Sequence, residues 1–338
     1  MNNLFKNMRI WAVAAFVLSL CVFSSCDTSD DDVVLGAWQQ GPDFAGVGRS
    51  SAVSFVINGK AYVGTGFDGN NRLKDFWMFD PATGNWKRLA DLPGEARSGA
   101  VGFSANGKGY IGTGYTGDGY LKDFYEFDPA GNQGNGQWTQ IADFPASARY
   151  GAIAMSFETK GYVGAGYDGN YQKDFWQYDP ATATWTEQTG LKGAKRLNGF
   201  TFTVNGKGYV GGGQNNNVYQ DDLLEFDPAT GEWSTKKNLN TEQRPEEEYP
   251  ALRTFATTFT VNNKAYLVAG TNGAANYLDA WEYDPLSDTW TQLTNFTGGG
   301  RLGAIGFGIG ERGYIGLGNS GNIRYDDLWI LNPTIAND

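Results

Sequence analysis

The sequence predicts an all-β fold: a six-bladed β-propeller whose last blade is closed by the N-terminal strand around Trp38. Three observations carry this expectation. The stretch "DFWMFDPATGNW" at residues 75–86 returns from Asp123, Asp174, Asp222 and Asp279, and in truncated form as "DLWILNP" from Asp327. A repeat of roughly 50 residues is the mark of a propeller or solenoid. Ahead of the copies lie paired apolar runs, joined in the first, second and fourth units by Asn58-Gly59, Asn106-Gly107 and Asn205-Gly206, the strongest short hairpin signal. No helical period interrupts the pattern after residue 35.

Each element of a unit has its own justification. "SAVSFVI" and "KAYVGTG" supply the two inner strands of the first unit, and Phe76, Trp77 and Phe79 are strand formers. Asp80 and Pro81 open the next turn, because Asp caps its first position and Pro presets φ at the second. An outer strand ending near Trp86 completes four strands. The sixth unit runs out at Asp338 without this outer strand. Spacing identifies its replacement: eleven residues separate Trp86 from Arg97, Trp138 from Arg149, Trp185 from Arg196 and Trp290 from Arg301, and the same eleven separate Trp38 from Arg49. "GAWQQ" therefore takes the outer position of a blade whose other strands lie at the far end of the chain, which leaves no open edge. The expected propeller spans 36–334, with a short tail at 335–338. Length alone suggests two domains, but all-β rings run longer as single units.

The first residues are different in kind. Lys6 and Arg9 precede the apolar run "WAVAAFVLSLCVF" and then "SSC", the pattern of a secretory signal over 1–25 that is too short to span a membrane. Phe23, Ser24 and Ser25 before Cys26 resemble the bacterial lipoprotein cleavage box, which implies lipidation at Cys26; the competing reading is a leftover thiol. Cys21 falls within the removed segment, so the mature chain holds one Cys and no internal disulfide. Acyl chains on Cys26 would give durable attachment. The acidic run "DTSDDD", part of a tether over 26–35, reads as a solvated spacer and also resembles an export signal to the outer surface. The expected location is extracytoplasmic, anchored to a bacterial outer membrane and surface-exposed. Loss of Lys6 and Arg9 leaves 24 basic against 37 acidic residues, a formal charge of −13. Such a chain repels phosphate backbones, and no nucleic-acid partner is expected.

The small-residue pairs in "VGTG", "IGTG", "VGAG" and "VGGG", the Tyr or Phe that follows, and the Trp after the Asp-Pro turn resemble the kelch-repeat family over about residues 36 to 334. The resemblance implies the propeller but no single activity, since kelch propellers include enzymes, sugar-processing proteins and interaction modules. Galactose oxidases, the family's best-known enzymes, hold copper with two Tyr and two His and cross-link a Tyr to a Cys. This chain has no His, which excludes that chemistry, every His-based triad and the usual zinc, copper and iron ligand sets. No cofactor or metal is expected; the "DGN" turns lack the oxygen density of a calcium site.

Candidate ligand contacts lie on one face. Arg49, Arg97, Arg149, Arg196, Arg253 and Arg301 head the innermost strands, and sixfold repetition places them around the channel mouth. Arginine suits carboxylates and other anions. The same six could instead tie blades together, with Asp75, Asp123, Asp174, Asp222, Asp279 and Asp327 as partners. Loops on the same face carry Tyr115, Tyr120, Tyr167, Tyr171, Tyr219 and Tyr277 beside Asp68, Asp118, Asp168 and several Asn, a mixture suited to the apolar patches and hydroxyl edges of sugars. The competing reading is ordinary turn chemistry, which explains the Gly and Asn of these loops well and the Tyr less well. One spacing departs from the pattern: Trp233 to Arg253 is twenty residues, an insertion holding Glu246, Glu247, Glu248 and Tyr249. It is either a specificity loop, with Glu248 as a ligand contact, or an inert one. The expected function is that of a monomeric, lipid-anchored protein binding a saccharide or acidic ligand. The alternatives are a sugar mutarotase or epimerase similar to the sialic acid mutarotase propellers, with acid-base work by the Glu cluster, and a protein-protein scaffold.

Overall fold

The computed structural model describes residues 34–239 and 249–336. The expected signal segment, Cys26, the acidic run and Glu246 to Glu248 lie outside the described residues. Six four-stranded antiparallel sheets follow one another along the chain. Blade 1 comprises Val53–Ile57, Lys60–Gly64, Phe76–Asp80 and Asn85–Arg88, and blade 2 comprises Val101–Ala105, Lys108–Gly112, Phe124–Asp128 and Gln137–Ile141. Blades 3, 4 and 5 start with the inner strands Ile153–Ser156, Phe200–Val204 and Thr257–Val261. Blade 6 comprises Ile305–Ile309, Arg312–Gly316 and Leu328–Ala336, and its outer strand is Leu35–Gln40. Trp38 sits opposite Leu331 in that antiparallel pair. The final strand runs two residues beyond the boundary expected at 334. The "GNQGNG" stretch forms a tight turn at Gly131–Gly134, with Asn132 and Gln133 in the left-handed region at φ of 49° and 55°.

Inner strands touch in cyclic order, blade 6 against blade 1 included, so the core lies between blades. One rule fills it. The aromatic at the fourth position of each third strand packs on the Tyr of the preceding blade's second strand: Phe127 on Tyr62, Tyr178 on Tyr110, Phe226 on Tyr162, Tyr283 on Tyr209 and Phe79 on Tyr314. Leu331 takes this place against Tyr266 at the closing interface. The glycine before that Tyr has a packing reason. A Cβ on Gly109 would lie 2.2 Å from the ring of Phe55 and one on Gly161 would lie 2.0 Å from Phe103, so an aromatic from the neighbouring blade fills the space a side chain would need.

The outer Trp residues pin neighbours in the same cyclic sense. Trp138, Trp185 and Trp233 donate from Nε1 to Ala90, Ala142 and Thr189 carbonyls at 2.9, 3.1 and 2.9 Å, and Trp38 donates to Thr294 at 3.0 Å across the closure. Trp290 Nε1 is buried without a partner.

At the channel mouth the backbone closes on itself. Ser51 N–H donates to Gly303, Gly303 to Phe255, Phe255 to Asn198, Asn198 to Gly151, Gly151 to Gly99 and Gly99 to Ser51, with distances of 2.8 to 3.2 Å. All six residues have positive φ, from 54° to 62°. Below this ring the channel encloses about 390 Å³. Its hydroxyls bridge blades: Ser54 Oγ donates to Gly306, Thr201 Oγ1 to Ala154 and Thr260 Oγ1 to Thr203, at 3.1, 2.8 and 3.0 Å.

Candidate functional site

The six arginines that head the inner strands are 0 to 1% exposed. Each has the repeated aspartate as its partner: Arg49 with Asp75, Arg97 with Asp123, Arg149 with Asp174, Arg196 with Asp222, Arg253 with Asp279 and Arg301 with Asp327, at 2.5 to 2.6 Å. Each Nη1 also donates to the carbonyl sixteen residues on, such as Thr65 for Arg49 at 3.0 Å and Thr113 for Arg97 at 3.1 Å. Thr65 and Thr113, with φ of 60° and 58°, stand between the two glycines of "GTG", so this motif turns a carbonyl toward the guanidinium. The Arg main chain then joins blades: Arg97 O accepts from Gly66, Arg149 O from Gly114 and Arg49 O from Gly318, at 2.8, 2.7 and 2.7 Å.

Burial therefore decides between the two readings of these side chains. Arg49, Arg97, Arg149, Arg196, Arg253 and Arg301 are structural ties, and the expectation that they contact a ligand is corrected: their donors are spent on aspartates and carbonyls behind the mouth. Burial pushes the Asp75 carboxyl up, but hydrogen bonds and charge from Arg49 and a bond from Trp77 outweigh it and hold the group below its usual range. Blade 4 is the exception in detail. Trp77, Trp176, Trp281 and Trp329 donate to the tie aspartates at 2.7 to 3.1 Å, whereas Leu224 occupies that position and donates nothing. Asp222 Oδ1 and Arg196 Nε are both left buried and unpaired.

The loop tyrosines behave differently. The residue after each tie arginine bridges the residue after the glycine pair: Ser50 with Phe67, Ser98 with Tyr115, Tyr150 with Tyr167, Leu197 with Gln214, Thr254 with Thr271 and Leu302 with Asn319. This position is aromatic in blades 1 to 3 and polar in blades 4 to 6. Sixfold backbone symmetry thus carries a one-sided surface. On blades 2 and 3, Tyr115 and Tyr120 lie 5.6 Å apart, Tyr120 stacks on Tyr150 at 5.3 Å, Tyr150 meets Tyr167 at 6.0 Å, and Tyr167 meets Tyr171 at 5.1 Å. All five are half-buried. Burial raises the phenols of Tyr120 and Tyr150, and the neighbouring tyrosines add to the shift, so both stay protonated and can donate.

One carboxylate borders this strip. Asp168 accepts from Ser147 Oγ, and from Gln172 Nε2 and the Asn170 amide, each at 2.9 Å. Burial pushes its pKa up, but those bonds and the charge of Arg149 prevail and hold it below the usual range. It is an ionised acceptor at neutral pH. Asp68 spends one oxygen on the Asn70 and Asn71 amides at 2.7 Å each, as an Asx turn does.

Tyr115, Tyr120, Tyr167 and Tyr171 are thus brought together, while Tyr219 and Tyr277 stand apart from them. Tyr277 covers the Arg253 guanidinium at 4.3 Å and belongs to that tie. Sequence reasoning missed Tyr150, Phe67, Arg72 and Arg324. Arg72 and Arg324 occupy the same bridge position as Tyr120 and Tyr171, opposite Phe67 and Asn319. Each leans on the next blade: Arg324 on Phe67 at 5.5 Å and Arg72 on Tyr115 at 4.6 Å. A signal for Tyr150 was available in "RYGAI", where the other units place Ser, Leu or Thr. Among the described residues no group of three or more His, Cys, Asp or Glu converges to hold a metal ion.

Comparison with known families agrees with this architecture. A model described as the KLHDC2/KLHL20/DRC7 Kelch-repeats domain matches residues 38–197 and 106–246, and a model described as the Kelch motif matches residues 252–297. No curated protein matches the chain.

Proposed function

The chain belongs to the kelch-repeat propeller family, a fold that suits a binding or scaffold role, and we propose that this one binds a saccharide on the loop face of blades 1 to 3. The observation that carries the reading is the run of five tyrosines in mutual contact from Tyr115 to Tyr171. Sugar rings present C–H faces that stack on aromatics, and hydroxyl edges that need donors and acceptors. The Tyr hydroxyls and the ionised Asp168 supply both. A strip held by ring contacts and inter-blade bonds is preorganised, so little ordering cost opposes binding. We further propose that lipidation at Cys26 holds the propeller at the outer face of a bacterial outer membrane, where polysaccharides are met.

The test is thermal stabilisation of the protein by a panel of neutral and acidic oligosaccharides, since a ligand that binds the native state raises its melting temperature. Selective stabilisation is expected, and Tyr120→Ala and Tyr167→Ala should each weaken binding by about tenfold, the scale of one lost aromatic contact. If no saccharide stabilises the protein, the saccharide reading is wrong and the face serves a protein partner.

A further inference from the structure

The aromatic strip continues past Tyr115 into blades 1 and 6, where it changes character. Arg72 lies 5.0 Å from the centre of the Phe67 ring and Arg324 lies 5.5 Å from the same ring. Of the ten arginines among the described residues, seven have a carboxylate partner. The three that lack one are Arg72, Arg312 and Arg324, and two of these three share one phenylalanine. Arg72 makes no side-chain hydrogen bond, and Arg324 donates from Nη1 only, to the Gly321 and Ile323 carbonyls at 2.9 and 3.4 Å. The Nε of each is buried without an acceptor.

This arrangement is at odds with the rest of the chain. The protein carries 37 acidic residues against 26 basic ones, and its other half-buried or buried guanidiniums are neutralised by aspartate. No carboxylate offsets either charge, and their partial burial raises the cost of leaving them unpaired. The ring fixes the guanidinium planes by cation–π contact, so their forked donors are oriented before any ligand arrives. The planar donors left over, all those of Arg72 and those of Arg324 apart from Nη1, suit a carboxylate, which takes two parallel N–H bonds.

We infer that Arg72 and Arg324, seated on Phe67, form a carboxylate subsite, and that the ligand of the neighbouring tyrosine strip is an acidic saccharide of the hexuronate type. The inference rests on the saccharide reading of that strip. A sugar residue bearing its carboxylate on these arginines places the next residues of the chain over Tyr115, Tyr120 and Tyr167. Neutral glycans would then use the tyrosines alone.

The experiment is calorimetric titration of the full-length protein with three hexuronate oligosaccharides, of galacturonate, of mannuronate-guluronate and of hyaluronan type, each alongside its carboxyl-reduced counterpart. At least one acid form is expected to bind about tenfold or more tighter than its reduced form, with the preference shrinking as salt rises. Arg72→Gln and Arg324→Gln should each lower that preference toward unity while leaving the affinity for the reduced form and the melting temperature unchanged. Tyr167→Ala should weaken both forms alike. Arg72→Lys, which keeps the charge and loses the fork, should restore only part of the preference. Equal binding of acid and reduced forms in every pair would overturn the carboxylate subsite while the saccharide reading stands, and so would a preference that survives both Gln variants. Binding of neither form in any pair would remove the saccharide reading and the subsite together.

Discussion

Replacing Arg97 with Met would keep the apolar stem and remove the guanidinium of one blade tie. Four hydrogen bonds go with it: Nε to Glu95 O at 2.9 Å, Nη1 to Thr113 O at 3.1 Å, and Nη1 and Nη2 to Asp123 at 2.6 and 2.8 Å. Breaking a buried ion pair by deleting one partner costs about 3–5 kcal/mol, because the other charge stays behind without compensation. The Asp123 side chain is 21% exposed, so water reaches it in part and the lower end, about 3 kcal/mol, is the working figure. A large domain shifts by roughly 2 °C per kcal/mol, which sets the expected fall in melting temperature at about 6 °C. Scanning calorimetry reads this directly. Arg97→Met with Asp123→Leu should be less destabilised than Arg97→Met alone, since removing both charges abolishes the uncompensated one. A single variant that melts within a degree of the parent, or a double variant whose loss equals the sum of the two single losses, would refute the claim that these arginines hold blades together.

The tie aspartates also set an acid limit. Asp75 has a lowered pKa in the folded state, so its stabilising contribution is full above the unfolded value of about 3.9 and is lost as pH falls through the folded value; melting temperatures measured below pH 4 should drop steeply, and a flat profile there would contradict the pairing. At the other end, burial pushes Tyr162 and Tyr178 up to about 12. Their contribution is present below the unfolded value of about 10 and is lost as pH rises from there toward 12, so unfolding by alkali should accompany their ionisation in an absorbance titration. Trp38→Ala removes the bond to Thr294 and the edge contact with Phe296 at 4.9 Å, and should lower stability by about 2–3 kcal/mol in urea unfolding; an unchanged midpoint would mean the closing strand is dispensable. Cys26→Ser should abolish acyl labelling and release the protein from membranes, and a variant still found in the membrane fraction would rule out that anchor.

Much of the architecture was readable in the chain because it is written six times. The Asp-Pro turns and Asn-Gly hairpins fix local geometry within a few residues, and the eleven-residue spacing carried Trp38 across the chain to its place opposite Leu331. The arginine ring could not be resolved in the same way. A sixfold Arg beside a sixfold Asp has the same spacing whether the side chains face a ligand or each other, and only their burial separates the two. The candidate site was legible in its tyrosines but not in its extent. Tyr150 reaches Tyr120, and Arg324 reaches Phe67, across blade boundaries, and such contacts depend on the rotation between blades, which no local pattern encodes. Arg72 and Arg324 were hidden for a further reason. They stand where other units have Tyr or Asn, and a lone basic residue in a polar loop carries no mark until its lack of a partner is visible.

The closed circle of peptide bonds at the channel mouth has an electrostatic consequence. Each of its six units is a small dipole lying along the circumference, and dipoles arranged head to tail around a loop sum to nearly nothing on the axis. Their donors and acceptors are also mutually occupied. The mouth therefore differs from a helix terminus, where aligned dipoles accumulate and draw in ions: it is a neutral collar that neither recruits charge nor repels it. Phe255 keeps the left-handed conformation that a bulky side chain resists, and does so inside this collar, where leaving it would break two links at once. With the axis electrically quiet, any preference for charged molecules must be imposed off-centre, by side chains on the surrounding loops.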